Sequence, residues 1–352
     1  MERSFRICFA ITAALSIAAC TPHAVHQTTP APLPANILPR VSLFALGDTG
    51  VPPSWLRFRD GQLRVAEALA AEDVQRPADA LLFLGDNFYP HGLIAGELEE
   101  RVRENLVRPY CRFADLSGPD SRSVASACDT SARAQNRVPL LAVLGNHDLG
   151  SAKSPELQRN AVPRYLANWH LAGEPVERVE LAPGVTLVFF DSTRIADSKS
   201  LGALSDALRA AQGEFRVLVA HHPLEDDESS RAIAAAIAAA GVPVQLLLAG
   251  HLHSLRVGTP GGAGPSLQIV AGGGASTGRS THHVTGERFV LASRGFARVD
   301  LYEAAPTPFL RVTLYRVGAW PWLGSARGEP VAVWQVTRDG VASPYSGAGP
   351  GN

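Results

Sequence analysis

Five short phrases in the chain carry side chains able to hold metal ions. They are Gly47-Asp48-Thr49-Gly50, Gly85-Asp86-Asn87-Phe88-Tyr89, Gly145-Asn146-His147-Asp148, His221-His222-Pro223 and Gly250-His251-Leu252-His253. Carboxylates, an amide oxygen and imidazoles are the donors of hard and borderline cations. If they converge, one Asp can bridge two ions. Two metals roughly 3.5–4 Å apart stabilise both the attacking and the leaving oxygen of an in-line displacement. Phosphoryl transfer suits such a clamp, because the protein mainly positions groups and offsets negative charge.

Convergence requires elements that end at one place. Each phrase directly follows an apolar run: Leu43-Phe44-Ala45-Leu46, Leu81-Leu82-Phe83-Leu84, Leu140-Leu141-Ala142-Val143-Leu144, Val217-Leu218-Val219-Ala220 and Leu246-Leu247-Leu248-Ala249. Strands covered on both faces read as continuous apolar runs. Ligands of open α/β sheets bind beyond the carboxyl ends of such strands. Between the runs lie helical patterns. Asp60 caps a stretch from Gln62 to about Arg76, residues 94–108 form a charged amphipathic pattern, and Glu156–Trp169 and Leu201–Gln212 follow. Ser229 opens an Ala-rich helix that stops at Gly241. Val176–Leu181 and Val185–Phe190 read as strands, the second ending in Asp191. After His253 the helices stop, and Ser266–Ala271, Phe289–Ala292, Ala297–Leu301, Leu310–Tyr315 and Val331–Val336 read as strands. A mixed first half and a β-rich second half indicate two packed sheets with helices outside.

Composition bounds the alternatives. The chain has 352 residues, 46% hydrophobic and 18% charged, enough for a sizeable core. Its net charge of −1 and the lack of a basic run give no electrostatic case for nucleic-acid binding. Ile7 to Ala19 is apolar but too short to span a bilayer as an ordinary helix. The run Leu15-Ser16-Ile17-Ala18-Ala19-Cys20 resembles the lipobox of bacterial lipoproteins. That resemblance implies cleavage of a 1–19 leader, lipid on Cys20 and a place on the periplasmic side of a bacterial cell envelope. Pro22, Pro30, Pro32, Pro34 and Pro39 make residues 20–40 a tether. Residues 41–318 are expected to form the main domain, with 111–137 as a surface insertion. Residues 319–352 would be a C-terminal strand and tail, in which Trp320, Trp322 and Trp334 have no evident role. In an oxidising compartment Cys111 and Cys128 are left to form a disulfide; two buried free thiols are the alternative.

The five phrases together resemble the calcineurin-like metallophosphoesterases. Gly50 departs from that family's first motif, which has a His in its place, and Tyr89, three residues after Asp86, takes up the missing ligand. The exchange resembles the purple acid phosphatase branch, in particular its small tartrate-resistant-type members. The resemblance implies an α/β (α+β) fold: a four-layer α/β/β/α sandwich, two mixed β-sheets flanked by helices. It implies two metal ions, Fe(III) plus a divalent Fe, Zn or Mn. Asp48, Tyr89 and His253 would hold the first, Asn146, His221 and His251 the second, and Asp86 would bridge them. A hydroxide on the metals would attack a phosphate monoester, with His147 facing the leaving group and Asp148 orienting an imidazole. His91 and His222 are candidate substrate contacts with Asn146 and His147, and His222 could exchange roles with His221. His282 and His283 read as exposed loop residues. One position departs further: Ser230 stands where the small purple acid phosphatases carry a second substrate-facing His, beside the acidic run Glu225-Asp226-Asp227-Glu228. Hydrolysis of phosphodiesters or nucleotides is therefore the alternative, and a non-catalytic envelope-binding lipoprotein a further one.

Overall fold

The computed structural model describes residues 38–52, 60–128, 135–194, 198–278, 281–303, 307–318 and 326–345. The expected leader, Cys20, most of the tether, Trp320 and Trp322 lie outside the described residues. Among the described residues no helix is long and apolar enough to cross a membrane.

Two mixed sheets face each other. The first has eight strands in the spatial order Ala342–Pro344, Gly328–Thr337, Phe309–Val317, Arg294–Tyr302, Val41–Leu46, Ala80–Phe83, Leu140–Ala142 and Trp169–Leu171. The last four run parallel to one another, and Arg294–Tyr302 lies antiparallel to Val41–Leu46. The second has seven strands, Glu287–Leu291, Leu255–Gly258, Leu267–Ala271, Leu246–Ala249, Phe215–Val219, Val185–Phe190 and Val176–Ala182.

The period-two alternation of strand side chains shows why the runs are apolar throughout. Val41, Leu43 and Ala45 point into the core between the sheets, which they share with Val217, Val219, Leu246 and Leu248 of the facing sheet. The alternate residues Phe44 and Leu46 point outward, against Val65, Ala66 and Leu69 of the helix Gly61–Gln75. In the second sheet Val188, Phe190, Leu218 and Leu247 point outward, against Leu204 and Leu208 of the helix Ser198–Ala210 and Ile233 and Ile237 of the helix Glu228–Ala240. Fully burying each such aliphatic or aromatic side chain contributes roughly 1.5–3 kcal/mol. The layers are therefore helix, sheet, sheet, helix, as expected.

The helix ends follow local chemistry. Asp60 caps Gly61–Gln75 by accepting from the Leu63 amide at 3.2 Å. Asp227 caps Glu228–Ala240 by accepting from the Ser230 amide at 2.7 Å, and Gly241 closes that helix at φ 68°.

Two expectations are corrected. The single helix read over Glu156–Trp169 is three short pieces, Ser154–Glu156, Leu157–Ala161 and Val162–Tyr165, and Trp169 instead begins an edge strand. The insertion 111–137 is not merely superficial: Phe113, Ala114, Val124, Ala127 and Cys128 are buried in the outer core of the first sheet. A disulfide joins Cys111 to Cys128, with 5.2 Å between their Cα atoms. Beyond residue 318 the chain still belongs to this sheet, since Gly328–Thr337 pairs along the whole of Phe309–Val317 and Ala342–Pro344 pairs with Gly328–Thr337 in turn.

Candidate metal centre

The parallel strands Val41–Leu46, Ala80–Phe83 and Leu140–Ala142 deliver Asp48, Asp86 and Asn146 to one edge. Phe215–Val219 and Leu246–Ala249, parallel to each other in the facing sheet, deliver His221 and His251 to the same edge. The chain turns sharply at each strand end. Among the described residues, the non-glycine residues with positive φ are Asp48 (59°), Asp86 (52°) and His251 (67°). Such backbone costs on the order of 1–3 kcal/mol per residue and persists where surrounding contacts over-determine it. All three are ligands expected from the sequence.

Two glycines set the spacing. A Cβ on Gly145 would stand 2.2 Å from Asp86 Oδ1, so only glycine lets the third phrase pass beside that carboxylate. A Cβ on Gly50 would stand 1.7 Å from the Asn87 carbonyl oxygen, so position 50 has no room for any side chain. The structure thus explains the absent His: backbone occupies its place, and the Tyr89 amide donates to the Gly50 carbonyl at 2.7 Å.

Tyr89 reaches the centre from this loop. Its phenol oxygen lies 2.9 Å from Asp48 Oδ1, 2.7 Å from Asp86 Oδ2 and 3.0 Å from His253 Nε2. A phenol has one proton, and three acceptor-capable atoms surround it. Burial, then the charges of Asp48 and Asp86, push the phenol far above its usual range. His253 Nε2 is also 3.3 Å from Asp48 Oδ1, and the bond to Asp48 raises its pKa.

A second group of donors lies on the other side of Asp86. Asn146 Oδ1 is 3.1 Å from both His221 Nε2 and His251 Nδ1, and His221 Nε2 is 3.5 Å from Asp86 Oδ1. His221 is fully buried, and its Nδ1 donates to the Leu84 carbonyl at 2.8 Å, which leaves Nε2 to face the site. Burial depresses His221, His222 and His251 to about 4, so all three are held neutral, the form in which an imidazole can bind metal.

Asp86 therefore offers one oxygen to each group. Its ion pairs and those of Asp48 run to imidazoles and not to Lys or Arg among the described residues. Ligand atoms of Asp48, Asp86 and His221 all lie within 4.8 Å of one another. Two buried carboxylates, several imidazoles and a phenol, converging without a Lys or Arg to balance them among the described residues, fit a pair of metal ions. Asp48, Tyr89 and His253 would hold one ion, Asn146, His221 and His251 the other, and Asp86 would touch both.

The remaining expected residues divide. His147 lies beside the centre, its ring 4.5 Å from that of Tyr89 and its Nδ1 donating to the Pro90 carbonyl at 2.7 Å. His222 lines a cavity of about 500 Å³ with Asn146, His251, Glu225, Asp227 and His282. Its amide donates to Ser192 Oγ at 3.0 Å, and its Nδ1 lies 2.9 Å from the same hydroxyl. His91 is exposed and does not line this cavity. His282 and His283 are exposed, but they pair with Glu225 and Glu287 at 3.0 Å. Of the acidic run, Glu225 and Asp227 line the cavity while Asp226 and Glu228 do not.

Asp148 does not orient an imidazole. Its buried carboxylate accepts from the Gly145, Asn87 and Phe88 amides at 2.8, 3.0 and 3.1 Å and from Gln158 Nε2 at 2.9 Å, tying two ligand loops together. Asp191 accepts from the Thr193 amide at 3.0 Å and shapes its own turn. Sequence reasoning missed Ser192, although its place just after a strand end was a signal, and missed Arg101 and Gln158, for which the sequence holds none.

Comparison with known proteins agrees with this geometry. The family profile described as calcineurin-like phosphoesterase matches residues 42–255. The fold is similar to that of GAP50, the anchor in the inner membrane complex of Plasmodium, at 14% identity and a TM-score of 0.53, covering 83% of this chain and 89% of that one. It is also similar to PhoD at 11% identity and a TM-score of 0.57, covering 90% and 74%. At these identities the two structures speak to fold alone. Curated proteins gave no match.

Proposed function

Because the chain belongs to the calcineurin-like phosphoesterase family, we propose that it is a binuclear metal-dependent phosphatase of small phosphate monoesters, built like the purple acid phosphatases. The observation that carries this reading is the Tyr89 phenol oxygen within 3.0 Å of Asp48, Asp86 and His253, where Gly50 cannot carry a side chain. Fe(III) is the ion suited to the Tyr89 group, with a divalent Fe, Zn or Mn in the other. When bound, the ions would supply Lewis acidity and lower the pKa of water.

The chain's own residues do the rest. Asn146 and His251 lie on the cavity wall, so a phosphoryl group there stands beside the ligands. His147 Nδ1 is spent on the Pro90 carbonyl, so Nε2 is the ring atom left to meet a phosphate or leaving-group oxygen. The apolar leader and Cys20 support anchoring by lipid on the periplasmic side of a bacterial envelope.

Asp86→Asn and His251→Ala are expected to abolish phosphate release while the protein stays folded; wild-type turnover in either would refute the assignment. With iron bound, a visible absorption band lost in Tyr89→Phe is expected, and an unchanged band would place Tyr89 outside the centre. The second reading, a phosphodiesterase or nucleotide hydrolase, is favoured by Ser230, whose hydroxyl accepts from the Glu225 amide at 2.8 Å and replaces an imidazole. Rates on matched monoesters and diesters decide between the two.

A further inference from the structure

One buried guanidinium grips both loops that make the tyrosine site. Arg101 lies in the helix Leu98–Val102 and is 6% exposed. Its Nη2 donates to the Gly50 carbonyl and to the Tyr89 carbonyl, each at 2.8 Å. Its Nε donates to Asn105 Oδ1 at 2.8 Å, and its Cζ lies 5.7 Å from the centre of the Phe88 ring. Asn105 Nδ2 in turn donates to the Val51 carbonyl at 2.7 Å and to Gln62 Oε1 at 3.1 Å. The first ligand loop is thus held at adjacent carbonyls, and the guanidinium that holds one of them also holds the Tyr89 loop.

We propose that Arg101 is a positioning residue of the metal centre, which sets where the Tyr89 phenol stands against Asp48 and Asp86. Removing the guanidinium leaves the Gly50 and Tyr89 carbonyls and Asn105 Oδ1 without this donor and so costs stability as well, which is why the test reads metal affinity beside folding. Nη2 turns its two hydrogens to the two carbonyls while Nε is fixed on Asn105, a planar geometry that a flexible ammonium holds less rigidly. Its target is the backbone of the one loop whose side chain replaces the His that Gly50 excludes. The inference rests on the metal-centre reading above.

The test is equilibrium dialysis of the full chain against Zn(II), with metal analysis and urea unfolding in parallel. Wild type is expected to retain two ions. Arg101→Met is expected to weaken one of them by about ten- to a hundredfold, the usual effect of removing a residue that supports a ligand. Tyr89→Phe should weaken the same ion, and adding Arg101→Met to it should cost little more. Equal weakening by Arg101→Met with and without Tyr89, or no weakening in either, overturns the inference while two retained wild-type ions preserve the metal reading. If Arg101→Met does not fold, Arg101→Lys keeps the charge without the fork, and the same comparison in both backgrounds decides. A wild-type chain that retains no Zn(II) overturns the metal reading and the role of Arg101 with it.

Discussion

Asp148→Asn replaces one oxygen in a carboxylate that holds two ligand loops together. Oδ2 accepts from Gly145 and Asn87, and Oδ1 from Phe88 and Gln158. An amide has one oxygen, so in either orientation its NH2 meets two donors. A buried donor left unpaired costs about 1–3 kcal/mol. The Gln158 side chain can turn, whereas the backbone amides cannot, so one to two donors stay unpaired and the loss is about 1–6 kcal/mol. Burial, then the charge of Asp86, raise Asp148 to about 7. A carboxyl raised in the folded state binds its proton more tightly there, so its contribution to stability declines as pH rises from about 4 to 7. Asn does not titrate, and the deficit of the variant should be larger at pH 5 than at pH 8. Urea unfolding of the metal-free protein at both pH values measures this. A loss below about 1 kcal/mol at both, or a larger deficit at pH 8, refutes the reasoning.

Other outcomes follow from the same contacts. Burial holds His221 down to about 4, so the unfolded chain takes up that proton first and stability falls as pH drops from about 6.5 through 4. The shift corresponds to about 3 kcal/mol, and metal-free His221→Gln should lose less stability than wild type over that window; parallel curves would count against it. Cys111→Ser with Cys128→Ser should cost roughly 3 kcal/mol, given the loop that the bridge closes; an unchanged urea midpoint would contradict this.

Much of the site was legible because its causes are local. Apolar runs ending in Gly-Asp, Gly-Asn or Gly-His give strands with candidate ligands beyond them, and Asp60, Asp227 and Gly241 mark helix ends by capping their own backbone. Local patterns also misled: Trp169 and its neighbours carry helical spacing, yet pairing with Leu140–Ala142 makes them a strand. What sequence could not assign depends on approach between distant segments. That His221 Nε2 faces Asn146 and Asp86 follows from its Nδ1 donating to the Leu84 carbonyl, brought from another strand end. That Asp148 ties loops rather than orienting an imidazole follows from amides brought from residues 87 and 88. The Tyr89-for-His exchange belongs to both levels. The residue types stand in the chain, but only the packed structure shows the Asn87 carbonyl filling the space beside Gly50 and Arg101 holding the two loops in place.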